Sequence, residues 1–313
     1  MTTSERLNSR YGAQGRIVFR DGFAGFPNVV IANKYGAAEI ALYGGNVLSY
    51  RPTGHSPVIF RSAKKDAEYL PEESFHGGIP VCWPQFGNRA SKTLPQHGFA
   101  RHSLFEVRGT EYSEEKTEVT LGLRPSEETA KVWPHDFDLE LKVSVTMKLN
   151  LDLTTRNTGA EPFDFSCGFH PYFLLRDRNG ATVRGLSGAK YVDGTTRALE
   201  EGVLSGDFKT DFAPDHIFTL APAPKHEIAI LDPGLRRAVA IASSGNAKCV
   251  VWNCGEASSL ADMQPGDWRK FICVEPVSEW PGAQTLAPGA AHTLAVAIQA
   301  HLDGAAQSPC VGG

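Results

Sequence analysis

Between Asp138 and Asn157 the run DLELKVSVTMKLNLDLTTRN places Leu139, Leu141, Val143, Val145, Met147, Leu149, Leu151 and Leu153 at every second position, with mostly polar neighbours between them. A period of two means half-buried antiparallel strands, and a stretch this long needs a turn, expected near Leu149 to Asn150. Shorter β-rich runs recur at Arg16 to Asn33, Ala37 to Tyr43, Leu104 to Val107, Glu118 to Leu123, Glu227 to Leu231, Ala238 to Ala242, Cys249 to Asn253, Phe271 to Glu275 and His292 to Ala300. The main helical candidate is Ser126 to Trp133, opened by a Ser cap and stopped by Pro134. Many short strands without intervening helices predict an all-β fold, a large antiparallel sandwich or barrel, and exclude a doubly wound α/β sheet. No linker and no fixed-period repeat divides the chain, so residues 1–313 read as a single β-sandwich domain. Its ordered core is expected at about 16–302, with frayed ends at Met1 to Ser9 and Asp303 to Gly313.

At 313 residues, 42% hydrophobic and a net charge of −4, the chain has ample material for a core and is neither disordered nor fibrous. No run approaches the roughly 18 apolar residues of a spanning helix, and MTTSERLNSRYGAQGR lacks the apolar segment of a secretory signal. A cytoplasmic location is the expectation. Cys82, Cys167, Cys249, Cys254, Cys273 and Cys310 are too scattered for a disulfide framework and read as reduced thiols. Without a basic run there is no footprint for nucleic acid or an anionic membrane, which leaves a small molecule as the expected partner and a monomer as the expected state.

Signatures of nucleotide binding, serine hydrolysis and zinc proteolysis are missing. His97 and His102, like Cys249 and Cys254, lie five apart, which is not the spacing of common zinc pairs, so no metal is expected. What stands out is a group of polar residues in segments rich in Gly, Pro and aromatics: His76-Gly-Gly-Ile-Pro-Val-Cys-Trp-Pro-Gln-Phe-Gly87, Leu94-Pro-Gln-His-Gly-Phe-Ala-Arg101, Phe169-His-Pro-Tyr-Phe173 and Val274-Glu-Pro276. Rigid loops with a few polar groups among aromatic rings suit a sugar site, because rings cover C–H patches while His, Arg, Asp and Gln bind hydroxyls.

These segments resemble the aldose 1-epimerase (mutarotase) superfamily, and in particular its hexose-6-phosphate branch, the glucose-6-phosphate 1-epimerases. The similarity runs from about Asn28 to about Ala300, and HGGIPVCWPQFG followed by LPQHGFAR is its most specific part. It implies a β-supersandwich (galactose mutarotase-like), no cofactor, and interconversion of α and β anomers through ring opening. By resemblance, Glu275 removes the proton from the C1 hydroxyl and His170 protonates the ring oxygen. Asp215 and Gln96 bind sugar hydroxyls, His97 lines the pocket, and Arg101 pairs with phosphate oxygens. Trp83, Phe86, Phe99 and Trp252 are expected walls. A protonated His170 implies a pKa above the usual ~6.5, raised by Asp215 or Glu275.

One position departs from the pattern: His76 stands where the hexose-6-phosphate branch usually has Arg, and imidazole lacks the fixed charge and fork of a guanidinium. His76 as imidazolium, or Arg61, Lys64, Lys65, Arg89 or Lys92, would then be left to meet a phosphate. Two alternatives stay open: the same reaction on an unphosphorylated hexose, and a non-catalytic carbohydrate-binding module. Each site residue also has a plainer reading. His170 would be a core histidine, Glu275 an edge-strand carboxylate, Asp215 a turn cap, Arg101 a partner for Glu106 or Glu111, and His76 loop filler.

Overall fold

The computed structural model describes residues 1–302 apart from 72, 74, 89, 90, 197, 258 and 259. Its strands are antiparallel throughout the described pairings and build two large sheets. The nine-stranded sheet is ordered Phe208–Lys209, Thr182–Arg184, His226–Asp232, Arg237–Ser244, Ala291–Leu302, Leu149–Asn157, Phe137–Val145, Thr117–Leu123, Glu106–Tyr112. The alternating run becomes its central hairpin, Phe137–Val145 with Leu149–Asn157, in register Phe137 to Asn157 through Val145 to Leu149. The turn therefore comes at residues 146–148, slightly before the expected place. Met147 is 64% exposed at its tip, whereas Leu139, Leu141, Val143, Val145, Leu149, Leu151 and Leu153 are all buried.

The eight-stranded sheet runs Glu200–Val203, Lys190–Asp193, Asp215–Thr219, Lys248–Trp252, Phe271–Val277, Gly168–Phe169, Val81–Cys82, and Tyr172–Leu174 also pairs with Phe271–Val277. Side chains from both sheets share the main core. Phe169, Phe173, Phe218, Val251, Ile272 and Val274 from this sheet join Leu139, Leu141, Leu151, Ile241 and Ile298 from the other. Burying large apolar side chains contributes roughly 1.5–3 kcal/mol each before entropy is counted, so this interface is the main source of stability. A four-stranded sheet, Ile17–Asp21 to Val47–Pro52, and the pair Phe163–Phe165 with Gln284–Leu286 complete the architecture.

Phe271–Val277 is buried at every residue, which is why FICVEPV shows no alternation in sequence. Alternation persists in direction. Ile272 and Val274 enter the main core, while Cys273 belongs to a second cluster on the other face with Phe60, Tyr172 and Phe271. That second face carries the site.

The N-terminus corrects the expectation of a frayed end. Thr3–Tyr11 is a helix (α1) with a capping box between Thr2 and Glu5. Asn8 donates to the Phe19 carbonyl at 2.7 Å and accepts from the Phe19 N–H at 2.8 Å, fastening the helix to the edge strand Ile17–Asp21. Residues 303–313, including Cys310, lie outside the described residues. The second helix (α2), Glu127–Val132 with Ser126 as its cap, falls within the expected segment. The five described cysteines are free thiols.

Candidate active site

Parity along the strands decides what faces the pocket. On Asp215–Thr219, Asp215 and Ile217 line it; on Lys248–Trp252, Val250 and Trp252 do; on Phe271–Val277, Glu275 does. Asp215 pairs with Trp252 and Val250 with Glu275, so these positions form adjacent rows on one face. His170 sits between the short strands Gly168–Phe169 and Tyr172–Leu174, and its N–H donates to the Pro80 carbonyl at 3.0 Å. Much of the remaining wall comes from the two glycine-rich segments and their immediate neighbours, through His76, Phe86, Gly87, Asn88, Gln96, His97, Arg101 and His102. The pocket holds about 470 Å³, enough for a hexose and a small substituent.

All seven expected site residues, His76, Gln96, His97, Arg101, His170, Asp215 and Glu275, line this one pocket. His170 Nε2 lies 3.5 Å from Glu275 Oε1. Both are buried, and Glu275 Oε2 and His170 Nδ1 have no hydrogen-bond partner within the chain. Rings frame the histidine: Tyr172 stacks on it at 4.9 Å, and His97 and Trp252 meet it edge-on at 5.5 Å.

The electrostatics correct the expectation for His170. Burial, with His97 and Arg101 adding to it, pushes its pKa well below the usual histidine value rather than above. Burial and then Asp215 push the Glu275 carboxyl well above its usual range, with Arg101 acting the other way. A low-dielectric setting penalises the ion pair relative to two neutral groups. In the empty site both shifts favour the neutral form of each group.

His97 is held by backbone geometry. Its φ is +62°, its N–H donates to the Gly87 carbonyl at 2.7 Å, and its Nδ1 accepts from the Gly87 N–H at 3.2 Å. Burial and then Arg101 lower its pKa to about 3, so the ring is neutral with its proton on Nε2. Gly98, at φ +72°, is obligatory because a Cβ there would sit 2.0 Å from the Trp83 carbonyl oxygen. Asp215 has a similar neighbour in Gly194, where a Cβ would come within 2.5 Å of its Oδ2.

His76 is tied to Asp262, a residue the sequence did not single out. Its Nδ1 lies 2.7 Å from Asp262 Oδ1, and its backbone N–H donates to Asp262 Oδ2 at 2.8 Å. Tyr69 Oη donates to the same oxygen at 3.0 Å. Burial works to raise the Asp262 carboxyl, but the bonds from His76 and Tyr69 hold it below its usual range.

Of the expected walls, Phe86 and Trp252 line the pocket, whereas Trp83 and Phe99 belong to the main core. Trp83 donates from Nε1 to Thr155 at 2.9 Å, on the nine-stranded sheet. The described spare cations do not line the pocket. Arg61 pairs with Asp66 and Glu39, Lys64 with Glu73 and Lys65 with Glu68, while Lys92 is not among the lining residues. Arg89 lies outside the described residues. Arg101 is thus the one lysine or arginine lining the pocket among the described residues. Its expected rivals are engaged elsewhere, Glu106 with Arg108 and Glu111 with Lys116. His102, Tyr172 and Trp280 also line the site. Tyr172 was within reach of sequence reasoning, two residues from His170 in a strand-like run, whereas nothing local pointed to Trp280.

Comparison with known proteins matches residues 27–299 to the aldose 1-epimerase family. A protein of Cenchrus ciliaris named "Putative glucose-6-phosphate 1-epimerase" is 34% identical over 267 residues, covering 80% of this chain and 78% of its own. A protein of the same name from Escherichia coli is 32% identical, with 79% and 81% covered. Among solved structures, a Salmonella typhimurium protein described as a "putative mutarotase" superposes with a TM-score of 0.84 at 27% identity, covering 93% of this chain and 96% of its own. A galactose mutarotase-like protein of Clostridium acetobutylicum shares the fold at a TM-score of 0.73 and 16% identity, covering 91% and 98%.

Proposed function

Because the chain belongs to the aldose 1-epimerase family, we propose that it interconverts the α and β anomers of a hexose 6-phosphate, with glucose 6-phosphate as the first candidate. The observation that carries this reading is the buried pair His170 and Glu275, 3.5 Å apart and facing one pocket with Arg101 in its wall. The names of the relatives support the phosphate ester.

Ring opening requires a proton to leave the C1 hydroxyl and a proton to reach the ring oxygen. Glu275 takes the first and His170 gives the second; the C1–O5 bond breaks and C1 becomes an aldehyde. Rotation about C1–C2 presents the other face; His170 then takes the proton back from O5 as the ring closes, and Glu275 returns its proton to the C1 oxygen. Closed sugar reacts with Glu275 ionised and His170 protonated, and open sugar with both groups neutral. The two arrangements contain the same number of protons. Burial favours the neutral arrangement in the empty site, so binding of closed sugar shifts one proton from Glu275 to His170. Arg101 favours the ionised carboxylate and disfavours the imidazolium, so its two effects on that shift oppose each other.

Asp215 and Gln96 bind hydroxyls, neutral His97 offers Nε2–H, and Arg101 meets the phosphate, with His76 orienting the substrate beside it. The seven candidate residues line one pocket of a single chain, which supports a monomer acting on a free sugar phosphate; free thiols in the five described cysteines agree with a cytoplasmic setting. A second reading, an unphosphorylated hexose, is favoured by His76 in place of a fixed cation. Glu275→Gln tests the assignment: anomer exchange falls by about 100-fold or more while sugar affinity stays within a few-fold. Near-normal exchange in that variant would remove Glu275 from the reaction.

A further inference from the structure

Cys273 plays no part in the proton transfer, yet it stands two residues before Glu275 on the same face of the same strand. A ligand atom from each of His170, Cys273 and Glu275 lies within 4.8 Å of the other two, and all three residues are buried. The separation of His170 Nε2 and Glu275 Oε1, 3.5 Å, is longer than a good hydrogen bond. It is close to the ~3.4 Å edge expected between nitrogen and oxygen on a tetrahedral zinc ion with bonds of about 2.0–2.2 Å. Glu275 Oε2 is in addition a buried oxygen without a partner in the chain.

We propose that His170, Cys273 and Glu275 form a binding site for a thiophilic divalent cation, zinc above all, whose occupation switches the enzyme off. Three protein ligands leave a fourth position, and the pocket that His170 and Glu275 line supplies both that position and the entry path. The donor set selects the ion: imidazole, thiolate and a single carboxylate suit Zn²⁺ and Co²⁺, whereas Mg²⁺ and Ca²⁺ want several oxygens. On binding, the Cys273 thiol and the Glu275 carboxyl each release a proton to solvent as sulfur and carboxylate oxygen take the metal. Inhibition follows because the ion occupies the His170 lone pair and the Glu275 carboxylate, the two groups that move protons during exchange. Cys249 and Cys82 offer no equivalent, since no described cluster of metal-binding side chains includes them.

The test uses Co²⁺ as a coloured stand-in, added to metal-free full-length protein without sugar. Wild type takes up one Co²⁺ with a sulfur-to-cobalt charge-transfer band; Cys273→Ala lacks the band, and Cys254→Ala, at the nearby partly exposed thiol, keeps it. In the exchange assay Zn²⁺ stops the wild type and a chelator restores it, whereas Cys273→Ala needs about 100-fold more Zn²⁺ for the same effect. No band in the wild type, or a band that survives Cys273→Ala or follows Cys254, would overturn the proposal. Should Cys273→Ala fail to fold, as judged by its melt, His170→Ala reads the same loss of the band through the nitrogen ligand. Because Co²⁺ uptake is measured without turnover, its outcome is independent of which sugar the enzyme uses.

Discussion

At the scale of single residues, environment rather than identity sets the chemistry. A histidine and a glutamate side by side would ordinarily form an ion pair; enclosed by Tyr172, Trp252 and His97, each is pushed toward its neutral form. Side-chain nitrogen NMR of the empty protein at about pH 6 should therefore show His170 as a neutral imidazole, below the usual pKa of ~6.5. An imidazolium signal at that pH would contradict the assignment. Gly98→Ala belongs to the same scale. The new Cβ collides with the Trp83 carbonyl and the backbone is already left-handed, so His97 moves, stability falls by about 1–3 kcal/mol, and exchange is lost. Both are read by a thermal melt and an exchange assay on one sample. Of the seven candidates that the pocket brings together, His76, Gln96, His97, Arg101, His170 and Glu275 were legible because they stand in recognisable segments, and Asp215 through the family resemblance. Asp262 was not, since it meets His76 across 186 positions and lies in an undistinguished loop. The His170 pKa was also out of reach, because it depends on how much water the fold excludes.

At the scale of elements, period two was a reliable guide wherever one face of a strand meets water. The central hairpin was found that way, and its turn was misjudged because Met147 continues the apolar alternation while projecting from the tip. Strands buried on both faces lose the signal: FICVEPV reads as an apolar run, and only the folded sheet shows that Cys273 and Glu275 face away from the main core. Helix α1 was missed for another reason. Its polar sequence promised no burial, but the Thr2 and Glu5 capping box and the two Asn8 bonds to Phe19 hold it against a sheet edge. Asn8→Ala should cost about 1–3 kcal/mol, because it leaves the Phe19 backbone groups unpaired. Hydrogen exchange at Phe19 then speeds up, while protection in Phe137–Val145 is retained locally. Unchanged exchange at Phe19 would show that the helix is held by other contacts.

At the scale of the whole molecule, the sandwich brings loops distant in sequence to one face, and the succession of short strands without intervening helices was sufficient to read its class. It also makes the protein acid-sensitive. His97, His102, His170, His216 and His292 all have folded pKa values lowered, chiefly by burial. The unfolded chain binds more protons below about 6.5, so stability is full above that pH and is lost as pH falls toward the folded values. Glu39 and Asp262, lowered as carboxylates, extend the loss below about 4.5. Glu275 and Asp152, raised chiefly by burial, act oppositely, their contribution being present below about 4.5 and lost as pH rises, but two carboxyls do not offset five histidines. The denaturation midpoint should accordingly be lower at about pH 5.5 than at about pH 7.5; an equal or higher midpoint at the acid value would mean that these histidines are solvated.

The most direct measurement is anomer-exchange NMR on purified protein, with glucose 6-phosphate and glucose side by side and Glu275→Gln as the control for contaminating activity. Faster exchange of the phosphate ester, little acceleration of free glucose, and silence from the variant are the expected results. Acceleration of glucose alone would contradict the role given to Arg101 and the phosphate, and exchange undiminished in Glu275→Gln would contradict the proton-transfer pair itself.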